Sequence, residues 1–493
     1  MPWLLLYSLL LSIITVSNVN AESIKLEQVL SVAMQKQADV LIQKLNIDYA
    51  KGKRLSSSSA FDAVLSASAG YKDAQSPLTI QQSAAYGIST ADSRLRSYMV
   101  QLSKTMRSGL SLTAEMSLSN EMDDTYGASD DNTRTVGLTL GIPFFDLLDG
   151  NTSNYAEKSA EEDVKSAIES YYSQISQSMY QTMSAWWNFT AAYEAYKIYR
   201  QSQQLNEKYY EDYKKLVEKD ERPRSDLIQL QANIAVISME TKAAEKSYVS
   251  AGYSLCSSLG IPYDREKFLD PDTSWISFNT IIEKINGYLE NPYERRFDIL
   301  AAKSDVESSS ILIRAYKRNL RPDVNINLSA ETSSKTKNDP LYDTDGRNRG
   351  NTLSAEVTYS FPLSNSSAKG LLMQQMSLRQ QNLIQYEELK RAADIDIADA
   401  VQEFRLAVDS VALAEQSVAF YEQALVTEKK KQAIGMSTVL DVLSTGDSLR
   451  DVMLEKISYQ LSAALAAAKL AYVSGAILEV RGGELIINRD FLP

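Results

Sequence analysis

The side chains that most often carry chemistry are scarce in this sequence. Histidine is absent and cysteine occurs once, as Cys256. Without imidazole, most hydrolase triads, most zinc sites and the usual pH switch have no raw material. A lone cysteine cannot form an internal disulfide, and Cys256, within Tyr253-Ser254-Leu255-Cys256, reads as a small buried apolar residue. Carboxylates remain. Glu115, Glu331 and Glu356 fall on the polar side of segments that alternate polar and apolar residues. Asp226 and Asp441 follow turns between long helical stretches, where an acid also serves as an N-terminal helix charge. None of these spacings pairs a nucleophile with a base or an acid with a base. No catalytic residue, cofactor site or metal site is therefore expected. A ring of such Glu side chains from symmetric copies would bias a water-filled lumen toward cations. Charges kept in water because lipid forbids them would occupy the same positions.

The elements that position these acids are unusual. Residues Asn151 to Lys219 contain neither Gly nor Pro, and as one helix they would run roughly 100 Å at about 1.5 Å per residue. Val164, Ile168, Tyr171, Ile175, Met179 and Trp186 recur at steps of three, four and seven, a near-heptad seam that faces a partner helix. The many Glu, Lys, Gln and Ser residues exclude a membrane-spanning helix.

Ahead of this rod the period changes. After a first helix from Ile24 to about Ser56, strict alternation sets in over Phe61 to Tyr71, Ser97 to Ser103, Leu110 to Asn120 and Thr135 to Ile142. Segments of about ten residues, apolar on one side and Ser, Thr or Gly on the other, suit a transmembrane β-barrel, whose strands meet lipid on one face and water on the other. A soluble antiparallel sheet with one dry face shows the same period. Pro143, in Ile142-Pro143-Phe144, ends the last strand at a strand-to-helix corner.

The order then repeats. The long helix 151–219 turns at Asp220-Glu221-Arg222-Pro223 into a return helix, 225–259, followed by an irregular segment, 262–290, with a helical patch near Ile281 to Leu289. From Tyr293 come a helix to Leu320, strands over Val324 to Glu331 and Leu353 to Phe361, a second corner at Pro362, a long helix 366–433 and a return helix 437–472. Pro143 and Pro362, and Asp226 and Asp441, recur at nearly equal offsets. The chain is thus an internal duplication, with repeats at 22–290 and 291–480 and a tail at 481–493.

Residues Met1 to Ala21 read as a secretory signal peptide, with an apolar run from Leu4 to Val16 and the small-residue pattern Val19-Asn20-Ala21. The apolar run is shorter than the about 20 residues a spanning helix needs. A net charge of −12 argues against a nucleic-acid partner, because phosphate binding needs a basic face.

A duplicated order of helix, strands, long helix and return helix behind a signal peptide resembles the TolC family of outer-membrane efflux channels. The most specific match is Gly435-Met436-Ser437-Thr438-Val439-Leu440-Asp441-Val442-Leu443, similar to the family's segment at the periplasmic helix tip. The first repeat is similar at Ser225-Asp226-Leu227 but has Asp220 where the family usually has Gly, and Ser444 stands where the family often has a second acid. The resemblance implies an α+β fold formed as a homotrimer, with antiparallel strands in one shared barrel in outer-membrane lipid and long helices in one periplasmic coiled-coil tunnel. It further implies a passive conduit for small molecules or polypeptides, working with a periplasmic adaptor and an inner-membrane transporter of the RND, ABC or MFS type, with Asp441, Gly435 and Asp226 at the tip. The family pattern is four strands per chain, so the hairpin from Ser97 to Asn120 is an addition, expected to join the barrel and give up to eighteen strands per trimer. An exported structural or adhesive coiled-coil protein with a β domain is the competing class.

Overall fold

The computed structural model describes residues 24–123, 129–149, 151–219, 224–262, 270–336, 348–481 and 484–492. The signal peptide read over Met1–Ala21 and the first reversal at Asp220–Pro223 lie outside the described residues. Two helices, α1 (Leu26–Lys36) and α2 (Ala38–Ser58), replace the single helix expected from Ile24. The break is Gln37, whose backbone is extended at φ −65° and ψ 131°. α2 ends at Ser58, within the serine run, where Ser57 and Ser58 donate to the carbonyls of Lys53 and Leu55 in the preceding turn. Phe61 closes a 3-10 turn and is buried, so it does not begin the first strand as expected.

Strand β1 (Ala63–Pro77) is joined to β2 (Thr90–Thr105) through a short helix, α3 (Ile80–Tyr86), that alternation does not reveal. Its caps are nonetheless written locally: Thr79 and Gln82 form a capping box, and Gly87 takes φ 72° beyond the last turn. Then follow β3 (Ser111–Asp123), β4 (Ser129–Pro143), α4 (Phe144–Asp149), α5 (Thr152–Glu218, 67 residues) and α6 (Arg224–Leu259). The second half has α7 (Phe278–Leu289), α8 (Pro292–Arg295), α9 (Phe297–Arg318), β5 (Asp323–Thr336), β6 (Arg349–Ser360), α10 (Ser366–Ala433, 68 residues) and α11 (Val439–Val473). The C-terminal residues read as a tail carry structure of their own. There β7 (Leu478–Arg481) pairs with β8 (Glu484–Ile487) and leads into a 3-10 turn ending at buried Phe491.

These elements form two compact units. One comprises residues 47–167 and 302–386 and holds a single six-stranded antiparallel sheet in the order β1-β2-β3-β4-β5-β6. The register of β4 with β5, from Asn132↔Thr336 to Pro143↔Asn325, joins the strands of the two repeats.

The other unit holds 24–46, 168–301 and 387–492 and has the larger core. Ile175, Met179, Trp186 and Trp187 of α5 are fully buried there, with Leu26, Phe404 and the alanines of α11 around Ala467. Of the seam predicted for α5, Tyr171, Ile175, Met179 and Trp186 lie on this core face, whereas Val164 and Ile168 do not. Trp187 stacks on Trp275 with ring centroids 5.3 Å apart, and the Trp275 indole N–H donates to Glu194 at 3.1 Å. Burial pushes the Glu194 carboxyl above its ordinary range, against the stabilising pull of that hydrogen bond.

Candidate functional site: a two-faced sheet and two helix reversals

Directly paired residues in an antiparallel sheet share a face, so the register assigns each side chain to one of two environments. Leu65, Leu102, Ala114, Leu138, Ala330 and Leu353 stand in one row across all six strands. A soluble sheet with one dry face would bury such a row. Here Leu138 is 51% and Leu353 84% exposed, and neighbours on the same face, Val100, Met116, Val136 and Val357, are exposed too. The row of Tyr98 reaches β6 at Arg349, and Tyr359 lies ten residues farther along. At about 3.4 Å per residue and a tilt near 40°, the ten residues along β6 from Arg349 to Tyr359 rise roughly 26 Å, comparable to the apolar band of outer-membrane barrels.

The opposite face is polar. Ser66, Gln101, Glu115, Gly137, Glu331 and Thr352 form the row behind the leucines. Two of the acids singled out from sequence, Glu115 and Glu331, therefore flank Gly137 on one face. A Cβ at Gly137 would stand 3.2 Å from Cγ of Glu331, so glycine leaves room for that side chain. Glu356 shares the face two rows nearer the Pro143 end, paired with Asn327. The row between carries hydroxyls, Ser103, Thr113, Thr139, Ser329 and Ser354, with the last two hydrogen-bonded at 2.6 Å. From the Glu356 row through the Ser117 row, no Lys or Arg occupies this face among the paired residues.

Pro143 and Pro362 stand at the two strand-to-helix corners. Pro143 is the last residue of β4, and Pro362 lies between β6 and α10. Sequence reasoning missed what secures the first corner. Arg318 of α9 is buried, pairs with Asp146 of α4 at 2.6 Å and lies over the Phe145 ring at 5.7 Å.

At the second reversal, Gly435 takes φ 75°, a conformation that only glycine adopts freely. The Met436 N–H donates to the Lys431 carbonyl at 2.9 Å, closing α10. Thr438 then caps α11. Its hydroxyl accepts the Asp441 N–H at 3.2 Å, while the Asp441 carboxylate accepts from the Thr438 N–H at 2.8 Å and from its hydroxyl at 2.6 Å. Those bonds hold the Asp441 carboxyl below its usual range, so it is charged at neutral pH. Glu428 is lowered as well, by hydrogen bonds from Ser437 and Lys431.

At the first reversal Asp226 lies in the opening turn of α6. It accepts from the Tyr213 hydroxyl at 2.6 Å and from Ser225 at 3.1 Å. Val439, Tyr213, Val217 and Leu230 form a small shared core, so the end of α5 and the starts of α6 and α11 pack together. Farther along, Arg450 of α11 pairs with Asp447 at 2.9 Å and with Glu240 of α6 at 3.6 Å, and lies over Tyr199 of α5 at 5.9 Å. Its i,i+3 spacing to Asp447 was readable; the partners on other helices were not.

Among the described residues no helix is long and apolar enough to cross a membrane, and no group of three or more Cys, Asp or Glu could hold a metal.

Comparison with known proteins fits this geometry. The family described as outer membrane efflux protein matches residues 289–476, the second repeat. The second repeat matches this TolC-type family. No curated protein matches it in sequence. Among solved structures, the VceC outer membrane protein of Vibrio cholerae has a TM-score of 0.64 at 17% identity, covering 91% of this chain and 96% of that one. The outer-membrane channel OprN has 0.64 at 11%, covering 92% and 90%. The open-state MtrE channel of Neisseria gonorrhoeae has 0.62 at 14%, covering 92% and 89%. The fold likeness therefore spans both repeats, although the family match covers one. An outer membrane efflux channel is a conduit rather than an enzyme, and its helical part lies in the periplasm.

Proposed function

We propose that three copies of this chain assemble into a passive conduit across the outer membrane and periplasm. The conduit works with a periplasmic adaptor and an inner-membrane transporter of the RND, ABC or MFS type. The observation that carries this reading is the sheet itself: six strands with an exposed apolar face, a hydroxyl-rich face and an unpaired edge at each end. Six strands from one chain would close only a narrow barrel with little room for an aqueous lumen. Further copies supply both the missing edges and the width.

In this mechanism the polar face lines the lumen, where Glu115, Glu331 and Glu356 favour cations. The chain contributes no energy; the pump does, and the pump selects among small-molecule or polypeptide cargoes. Adaptor docking dilates the helix tip, with Gly435 as its turn and Asp441 and Asp226 as its charged groups. Planar-bilayer recording of the purified protein tests the gate. Wild type should give small, cation-preferring openings, and Asp441→Ala should enlarge them. Unchanged conductance removes Asp441 from the gate. No current from folded, inserted protein favours the structural or adhesive class instead.

A further inference from the structure

We propose that the hairpin β2–β3 is part of the barrel wall, so that the assembled channel has eighteen strands rather than twelve; the count rests on the trimeric reading above. Three observations on the hairpin point the same way.

The first is register. β2 pairs with β1 along its full length, from Ala63↔Lys104 to Pro77↔Thr90, and β3 pairs with β4 from Ser111↔Gly141 to Asp123↔Ser129. A hairpin folded outside the wall would leave β1 to pair with β4, and the sheet order contains no such pair. The second is sidedness. Tyr98, Val100 and Leu102 of β2, with Met116 and Leu118 of β3, continue the apolar face, while Gln101, Ser103, Glu115 and Ser117 continue the polar one. A one-residue slip would reverse every one of these.

The third is the turn. Arg107 makes a two-pronged contact with Glu157 of α5, at 2.7 and 2.8 Å, and lies over the Phe61 ring at 5.0 Å. Next to it Gly109, at φ 93°, lies against the strand-to-helix corner, where an added Cβ would stand 3.1 Å from Cγ of Pro143 and from Cβ of Asp146. The turn is thus fastened to the same corner that ends β4.

The consequence is width. With strands about 4.8 Å apart and tilted near 40°, eighteen strands give a backbone diameter of roughly 36 Å, against about 24 Å for twelve. It also places Glu115, on an added strand, in the same paired row as Glu331, so that three protomers bring six carboxylates to the lumen wall around Gly137.

Electron cryomicroscopy of the purified wild-type assembly in lipid nanodiscs, with strands counted at the level of Gly137, is the test. Eighteen strands around a threefold axis is the expected result. A threefold barrel of twelve strands with the hairpin outside overturns the inference and leaves the trimer standing. Any other symmetry overturns the trimeric reading on which the count depends. A second measurement uses cysteine pairs Ala67→Cys with Val100→Cys and Met116→Cys with Val136→Cys, each in a Cys256→Ala background. Oxidation in native membranes should close both pairs within one chain; failure of either places that strand outside the wall.

Discussion

The two compact units treat their large apolar side chains differently: one buries them among helices, and the other exposes them on one face of its sheet. Around Trp186, Trp187 and Phe404, large apolar groups are fully buried and water is excluded by neighbouring helices. On the sheet, Leu138, Val100 and Leu353 point outward, and the Ser, Thr and Gln residues take the other side. The same free-energy term acts in both places, since apolar area leaves water wherever a drier medium exists. In one unit that medium is protein. In the proposed channel the other medium is lipid, which a two-faced sheet can meet without a spanning helix, and among the described residues no helix is long and apolar enough to cross a membrane.

This contrast can be broken residue by residue. The largest effect is expected in the helical core: Trp187→Ala removes a fully buried indole stacked on Trp275, costing about 3–5 kcal/mol. A lowered urea midpoint of the purified protein would report it. Next comes Leu138→Arg on the outward face, expected to cost roughly 2–4 kcal/mol near mid-membrane. Thr139→Arg, one residue away on the polar face, should change stability by within about 0.5 kcal/mol. Equal costs at 138 and 139, measured by folding into lipid vesicles, would contradict the two-faced assignment. Thr438→Ala removes the α11 cap and should cost about 0.5–2 kcal/mol, seen as faster amide exchange confined to the tip.

The smallest effect is a pH response. The Asp441 carboxyl is lowered in the folded chain by its bonds to Thr438, so its contribution is fully present above the ordinary carboxylate range. It should fade as pH falls through the depressed value. Amide protection at the start of α11 should therefore hold from neutral pH down to about 4 and decline below it.

Much of this architecture was legible in the sequence because it is periodic. Alternation gave the strands, the heptad-like spacing gave α5, and the recurrence of Pro143 at Pro362 gave the duplication. What periodicity could not supply was pairing over distance. Arg107, in the turn between β2 and β3, has its partner Glu157 fifty residues away on another element. Gln37 carries no breaker signature, yet it divides the first helix. The acids were legible as positions but not as partners: Glu115 and Glu331 share a row only once β4 pairs on both sides. Asp441 proved to be tied into its own helix cap, so its place at a tip was readable and its bonds were not.

The central claim, that one sheet face meets lipid and the other water, is tested most directly by a cysteine scan of β4 in a Cys256→Ala background. Single cysteines at positions 135 to 140 would be labelled with a fluorophore in membrane-embedded protein. Labels at Val136, Leu138 and Leu140 should be quenched by a lipid-dissolved quencher, and those at Thr135, Gly137 and Thr139 by an aqueous one. Aqueous quenching at all six positions, or the opposite alternation, would contradict the account.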